Sequence, residues 1–276
     1  MSHDRPSHVA ITGASGGLGR ALAEHYAGPG RRLSLAGRDP RRLAACVAAC
    51  QARGALASGG TFDLRQGQAL RDWLREAHET QPLDLVFANA GVSASASALG
   101  LEQPSDLRRL LEINALGAID TARAAAELML ERRRGRIVII SSLAALYPLK
   151  SSPAYCAGKA AARFYGLSLR ALLAPKGLGV TVVCPGYVDT PMSRRFKGLK
   201  PFLQSPERAA AHIARCLAAN PREIAFPRLL AWGLGLVSVL PESAAAFFMK
   251  KFDDFYVEPD ADSPRPAEDR HERRGA

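Results

Sequence analysis

Tyr155 and Lys159 stand four residues apart in YCAGKAAARFYGLSLRALL, and Ser142 lies thirteen residues before the tyrosine. Residues spaced i and i+4 share one face of a helix, so the Lys159 ammonium is expected beside the Tyr155 phenol. A neighbouring positive charge favours phenolate and lowers a pKa that is ~10 when unperturbed. A tyrosine tuned in this way can give or take a proton near neutral pH. Alone, such a pair is an ordinary feature of a surface helix. Its meaning depends on what else the chain brings to it.

The first such piece is N-terminal. His8-Val9-Ala10-Ile11-Thr12 reads as a buried strand. It runs into a glycine turn, Gly13-Ala14-Ser15-Gly16-Gly17-Leu18-Gly19, and then into a helical pattern at Leu18, Ala21, Leu22, His25 and Tyr26. Strand, glycine turn and helix in that order form a cradle for a dinucleotide diphosphate, because the backbone can approach closely and the helix N-terminus offers N–H groups. Further along, short apolar runs near 8–12, 32–36, 56–62, 83–88, 136–141, 179–184 and 223–226 alternate with helical patterns near 17–27, 40–53, 66–79, 104–132, 153–174 and 206–219. Pro104-Ser105 opens the fourth helix and Gly135 closes it; Ser205 caps the last, with Pro206 at its first position. This alternation predicts an α/β protein with a doubly wound parallel sheet of about seven strands, the Rossmann fold, with helices on both faces. Ligands then bind beyond the carboxyl ends of the strands, where strand order reverses.

The motifs fall at those strand ends. The glycine spacing is T-G-x-x-x-G-x-G (Thr12, Gly13, Gly17, Gly19). Asn89-Ala90-Gly91 closes the fourth strand, and Asn114 lies in LEINALG on the long helix. Ser142 ends RIVIISS, and Pro185-Gly186 and Thr190 lie in CPGYVDTP. From about His8 to Phe226 this order resembles the short-chain dehydrogenase/reductase family. Two positions depart from the family pattern: Ala88 replaces the first asparagine of N-N-A-G, and Gly158 replaces the serine of Y-x-A-S-K. Neither removes a group that does chemistry.

The resemblance implies hydride transfer between a nicotinamide and a carbonyl or secondary-alcohol carbon. Tyr155 would then protonate the forming alkoxide. Lys159 would tune it and bond the nicotinamide ribose, and Ser142 would hold the carbonyl oxygen. Asn114 would hold a water that relays protons to Lys159. The cofactor would lie along Gly13, Ser15, Gly16, Gly17, Leu18 and Gly19, then Asp63 and Leu64, Asn89, Ala90 and Gly91, Tyr155 and Lys159, and Pro185, Gly186, Val188 and Thr190. Asp63 resembles the residue that bonds the adenine amino group, though it could equally cap the next helix. Where NAD enzymes usually carry a carboxylate at the end of the second strand, this chain has Ala36-Gly37-Arg38. A guanidinium there can pair with a 2′-phosphate, so NADP(H) is expected over NAD(H). Gly16 stands where many NADP enzymes have a second basic residue. The same fold also hosts NADP(H)-binding proteins that sense redox state or act as scaffolds; those usually lack the tyrosine or lysine kept here.

At 276 residues, 47% hydrophobic and 23% charged, the chain fits one domain over 1–257, with a proline- and charge-rich tail at 258–276 expected to be disordered. Its five cysteines, odd in number and scattered, read as free thiols, with no metal site. A formal charge of +11 comes without a recognition motif or aromatic-interleaved basic patch, so no nucleic-acid partner is expected. No apolar run approaches the ~20 residues that span a bilayer, and the N-terminus lacks the core of a signal peptide. The expected setting is cytoplasmic, at most peripheral at the inner face of a membrane. Apolar walls at Val92–Leu99, Leu143–Leu149, Tyr187 and a lid at 191–204 suit a lipophilic small-molecule carbonyl or alcohol. The segment 228–252 reads as two apolar helices split at Pro241. It is either a substrate gate that rests on a membrane or a subunit interface. Pairing through the helices at 104–132 and 153–174 into a homodimer or homotetramer is what the resemblance implies.

Overall fold

The computed structural model describes residues 6–93, 101–250 and 256–257. The tail at 258–276, the 94–99 part of the substrate wall and the end of the apolar segment at 251–252 lie outside them.

Pro40, Pro104, Pro153, Pro191 and Pro206 each stand at the first position of a helix. In chain order the elements are β1 (His8–Thr12), α1 (Gly17–Tyr26), β2 (Arg32–Gly37), α2 (Pro40–Gln51), β3 (Leu56–Thr61), α3 (Gly67–Thr80), β4 (Leu85–Ala88), α4 (Pro104–Leu111) and α5 (Ala118–Leu130). They continue with β5 (Gly135–Ile140), α6 (Pro153–Leu173), β6 (Leu178–Pro185), α7 (Pro191–Arg194), β7 (Phe196–Lys197), α8 (Pro206–Leu217), β8 (Glu223–Phe226), α9 (Arg228–Val237), α10 (Glu242–Met249) and β9 (Tyr256–Val257). Seven strands form one parallel sheet in the order β3-β2-β1-β4-β5-β6-β8. Strand order reverses between β1 and β4, which opens a crevice beyond their carboxyl ends. A separate two-stranded antiparallel ladder joins β7 to β9.

Period-two alternation divides the core. Val9, Ile11, Leu33, Leu35, Phe87 and Val138 pack under α1, α2 and α8 against Leu22, Leu43, Cys46 and Ile213. Ala10, Val86, Ile137, Ile139 and Val180 face the other way, onto Leu70, Leu74, Ala122, Ala125, Met129 and Ala162 of α3, α5 and α6. Side chains alternate faces along a strand, so each strand must be apolar on both.

Two boundaries differ from the sequence reading. The long helix is not one α-helix: Glu112–Gly117 is a π-helical segment between α4 and α5. Nor does Gly135 end it. The helix stops at Leu130, the chain turns through Arg133 at φ 49°, and Gly135 already begins β5.

Candidate active site

A cavity of about 490 Å³ runs along the carboxyl ends of the sheet. Its floor at one end is the glycine turn. Gly13 has φ +69°, and a Cβ there would sit 2.7 Å from the Ala90 Cα, so the turn and the β4 end meet only because the residue is glycine. Thr12 ties them: its hydroxyl donates to the Phe87 carbonyl at 3.2 Å and accepts the Asn89 N–H at 3.1 Å, while Asn89 Nδ2 donates to the Thr12 carbonyl at 2.9 Å. The α1 N-cap, Gly16, has no side chain to satisfy the first-turn N–H groups. Gly16, Gly17, Leu18 and Gly19 line the cavity, so those donors and the positive end of the helix dipole face it.

Beyond the turn, Arg38 and Arg42 line the cavity beside Asp39 and Asp63. Both carboxylates are engaged locally. Asp39 caps α2 through the Arg42 N–H at 3.0 Å. Asp63 is forked by the Arg65 guanidinium, at 2.6 Å for the shortest bond, and accepts the Arg65 N–H at 3.0 Å. Arg65, with a smaller contribution from Arg38, holds Asp63 below its usual pKa. Asp63 is not the N-cap of α3, which is Gln66. Among the described residues neither the Arg38 nor the Arg42 guanidinium is ion-paired.

Ser142, Tyr155 and Lys159 meet on the middle of the cavity. Ser142 follows β5 and caps a single 3₁₀ turn, Leu143–Ala145, by accepting the Ala144 N–H at 3.1 Å; it also hydrogen-bonds Tyr155. Its neighbour Ser141 donates to the Lys159 carbonyl at 2.8 Å, so the two serines have different tasks. The Lys159 ammonium, 4% exposed, donates to the Ile140 carbonyl at 3.0 Å and lies 6.0 Å from the centre of the Tyr155 ring. Burial pushes Lys159 down to about 8. Burial also pushes Tyr155 up to about 12, against the opposing pull of the Ser142 hydrogen bond. The shared helix face is as expected, but the lowering of the phenol pKa is not. Desolvation of both groups dominates, and the ammonium is drawn to a backbone carbonyl rather than to the phenol.

Asn114 sits in the π segment, fully buried, and does not line the cavity. Its Oδ1 accepts the Val92 N–H at 2.9 Å and its Nδ2 donates to the Val92 carbonyl at 2.8 Å. Gly91 leaves room beside it, since a Cβ there would lie 3.1 Å from both Asn114 Oδ1 and Lys159 Nζ and press each to shift by a few tenths of an ångström. Gly158 lies directly across, where a Cβ would be 3.1 Å from the Asn114 Cβ. Asn114→Ala would leave both Val92 backbone groups unpartnered. We expect it to lower stability by about 2–3 kcal/mol, read as a lower urea midpoint at unchanged slope.

On the far side, Pro185, Gly186, Val188 and Thr190 all line the cavity. Gly186 N–H donates to the Phe226 carbonyl at 2.7 Å. Thr190 and Ser193 form a reciprocal capping box at the start of α7, so the Thr190 hydroxyl already accepts the Ser193 N–H at 3.1 Å. Leu64 and Ala90 complete the set named from the sequence that faces the cavity, and Ser15 stands over Gly37. Leu143, Leu149 and Tyr187 form apolar wall as expected, whereas Leu146 packs into the core under α9. Arg42 and Arg109 line the cavity without having been named from the sequence, whereas Tyr147 and Arg195 fall within the expected wall and lid and Leu230, Leu234 and Met249 within the apolar 228–252 segment. The spacing of Leu230 and Leu234 was the available signal for an inward face.

The profile of the short chain dehydrogenase family matches residues 7–198. An uncharacterized oxidoreductase of Myxococcus xanthus is 34% identical over 232 residues, covering 84% of this chain and 91% of that protein. The chain spans 31% of the length of longer mycobacterial relatives that it also matches. Among solved structures, a short-chain dehydrogenase from Sphingobium yanoikuyae in complex with NADPH superposes with a TM-score of 0.72 at 25% identity, over 86% of this chain and 97% of that one. A short chain dehydrogenase from Mycobacterium paratuberculosis bound to NAD gives 0.70 at 25% identity, over 80% and 96%.

Proposed function

This chain belongs to the short-chain dehydrogenase family of oxidoreductases, and we propose that it uses NADP(H) to interconvert a lipophilic carbonyl compound and its secondary alcohol. The observation that carries this reading is that Ser142, Tyr155 and Lys159 border the same cavity as the uncapped N-terminus of α1.

The residues present fit a nicotinamide dinucleotide. First-turn N–H groups of α1 suit a diphosphate, and the chain leaves them without a side-chain cap. Asn89 through Gly91 and Pro185 through Thr190 would flank the nicotinamide half. A reduced nicotinamide bound there would supply the hydride, and its oxidised form would accept it in reverse. The chain's own part is proton handling and orientation. Ser142 would donate to the carbonyl oxygen, and Tyr155 would pass its proton to that oxygen as it becomes an alcohol. Lys159 would leave the Ile140 carbonyl to hold a ribose hydroxyl and stabilise the resulting phenolate. With its side chain committed to Val92, Asn114 would contribute to a proton relay through its backbone.

The NADP preference is supported by Arg38 and Arg42, two cations at the end of β2 where both nearby acids are already engaged. Arg42 would take the part of the basic residue absent at Gly16. Arg38→Ala is expected to raise the Kd of NADPH about ten- to a hundredfold, as for loss of a charge-assisted pair worth ~1.5–3 kcal/mol. The Kd of NADH should stay within about twofold. Titration by protein fluorescence checks it, and equal losses for both would remove Arg38 from the 2′-phosphate.

The lipophilic substrate is supported by Leu143, Tyr147, Leu149, Leu230, Leu234 and Met249 around the wider part of the cavity. Exposed Leu107, Leu116, Phe164 and Leu172 on α4 to α6 support pairing of copies through those helices. The test is turnover of aldehydes, ketones, steroids and 3-oxoacyl thioesters with NADPH. Retention of both Tyr155 and Lys159 on the cavity favours an enzyme over a cofactor-sensing scaffold.

A further inference from the structure

Helix α9 is apolar on two opposite faces. Ala231 and Leu234 are buried against the core, and Leu234 with Leu230 lines the substrate end of the cavity. On the other side Leu229, Trp232, Leu236 and Val239 recur every three or four residues, and Phe247 and Phe248 of α10 follow; all six are 57–76% exposed. Leu199, Phe202 and Leu203 of the lid segment are exposed as well, next to lid residues Arg195 and Phe196 that line the same cavity. Apolar residues on a helix surface in this number normally mark an interaction site. No helix of the described residues is long and apolar enough to cross a membrane, so any lipid contact must be in the plane of the surface.

Charge identifies the occupant. The lid and the two helices, residues 191–203 and 228–250, carry six Lys and Arg against one Glu. Arg228 at the start of α9 stacks over the Trp232 ring at 5.4 Å, and Lys250 follows the end of α10. A basic, acid-poor segment that exposes Trp, Phe and Leu on short helices is the composition of an element that lies in an anionic lipid interface, with its cations at the headgroups and its rings at the acyl boundary. We propose that α9, α10 and the 199–203 segment dock this protein on an anionic membrane surface, with the substrate end of the cavity opening toward the lipid. The docking stands on the surface alone; loading of substrate from the lipid rests on the reading of a lipophilic substrate.

Flotation of the full chain tests this, using vesicles of phosphatidylcholine with phosphatidylglycerol and vesicles of phosphatidylcholine alone. The protein is expected to float with the first and to stay largely at the bottom with the second. Trp232 emission should move to shorter wavelength with the anionic vesicles, and the shift should vanish in Trp232→Phe. Leu236→Glu and Phe247→Glu should each lower the floated fraction at least about fivefold, as expected when a charge replaces a buried apolar anchor. Both should bind NADPH as the parent does, which also reports that they fold. Failure of the intact protein to float on anionic vesicles would overturn docking. So would light scattering showing a dimer that Leu236→Glu converts to monomer, because a second copy would then cover the face. Failure of the intact protein to bind NADPH would instead overturn the NADP(H) reading and leave the flotation result standing.

Discussion

Tyr155→Phe is expected to lower kcat by about 10²–10⁴-fold, the usual contribution of a positioned general acid, while the Kd of NADPH stays within about twofold. The hydroxyl is the proposed proton source for the forming alcohol, and its hydrogen-bond partner among the described residues is Ser142. Removing it therefore touches the transition state and leaves the aromatic packing. Burial holds the phenol up at about 12, so the acid form is the resting form across the physiological range, as reduction of a carbonyl requires. Steady-state kinetics with NADPH and any active ketone measure the loss. A variant that keeps more than about a tenth of kcat would show that another group delivers the proton.

Lys159→Ala should damage both binding and turnover. The ammonium is buried and held by one carbonyl, Ile140, and is proposed to exchange that bond for a ribose hydroxyl. Its removal should weaken NADPH about tenfold or more, as for a lost hydrogen bond to a charged group, and lower kcat by about 10²-fold or more. The pH profile separates these from mere misfolding. Burial depresses Lys159 to about 8, so the charged form exists below that pH and is lost above it. In the parent, kcat/KM for reduction should therefore fall as pH rises through about 8, and this limb should be missing from the variant. An alanine variant with unchanged Kd, kcat and pH limb would sever Lys159 from the site.

The sheet was legible because its strands are buried on both faces: runs such as RIVII and VTVVC admit few other readings, and their helices are bounded by Pro40, Pro104, Pro153 and Pro206. The cavity-lining sets around Gly13–Gly19 and Pro185–Thr190 were legible for the same reason, since they sit at strand ends. What escaped depends on contacts across the fold. The π segment at Glu112–Gly117 turns Asn114 toward Val92 and lets it pass Gly158. No local spacing announces that. The direction of the Tyr155 shift escaped because an i, i+4 spacing gives proximity along a helix but says nothing of desolvation or of Ile140, which competes for the ammonium. The capping box at Thr190 and Ser193 was hidden beneath a family motif that suggested a cofactor role for the same hydroxyl.

The central claim is hydride transfer to a carbonyl carbon, and the most direct measurement follows the hydride itself. The protein would be incubated with NADPH deuterated at the nicotinamide C4 and a panel of lipophilic ketones, and the products read by mass spectrometry. The account predicts an alcohol with one deuteron on the carbinol carbon, formed by the parent and absent with Tyr155→Phe. NADPH that binds tightly yet transfers no deuteron to any member of the panel, nor to aldehydes or 3-oxoacyl thioesters, would contradict it and point to a cofactor-binding protein without turnover.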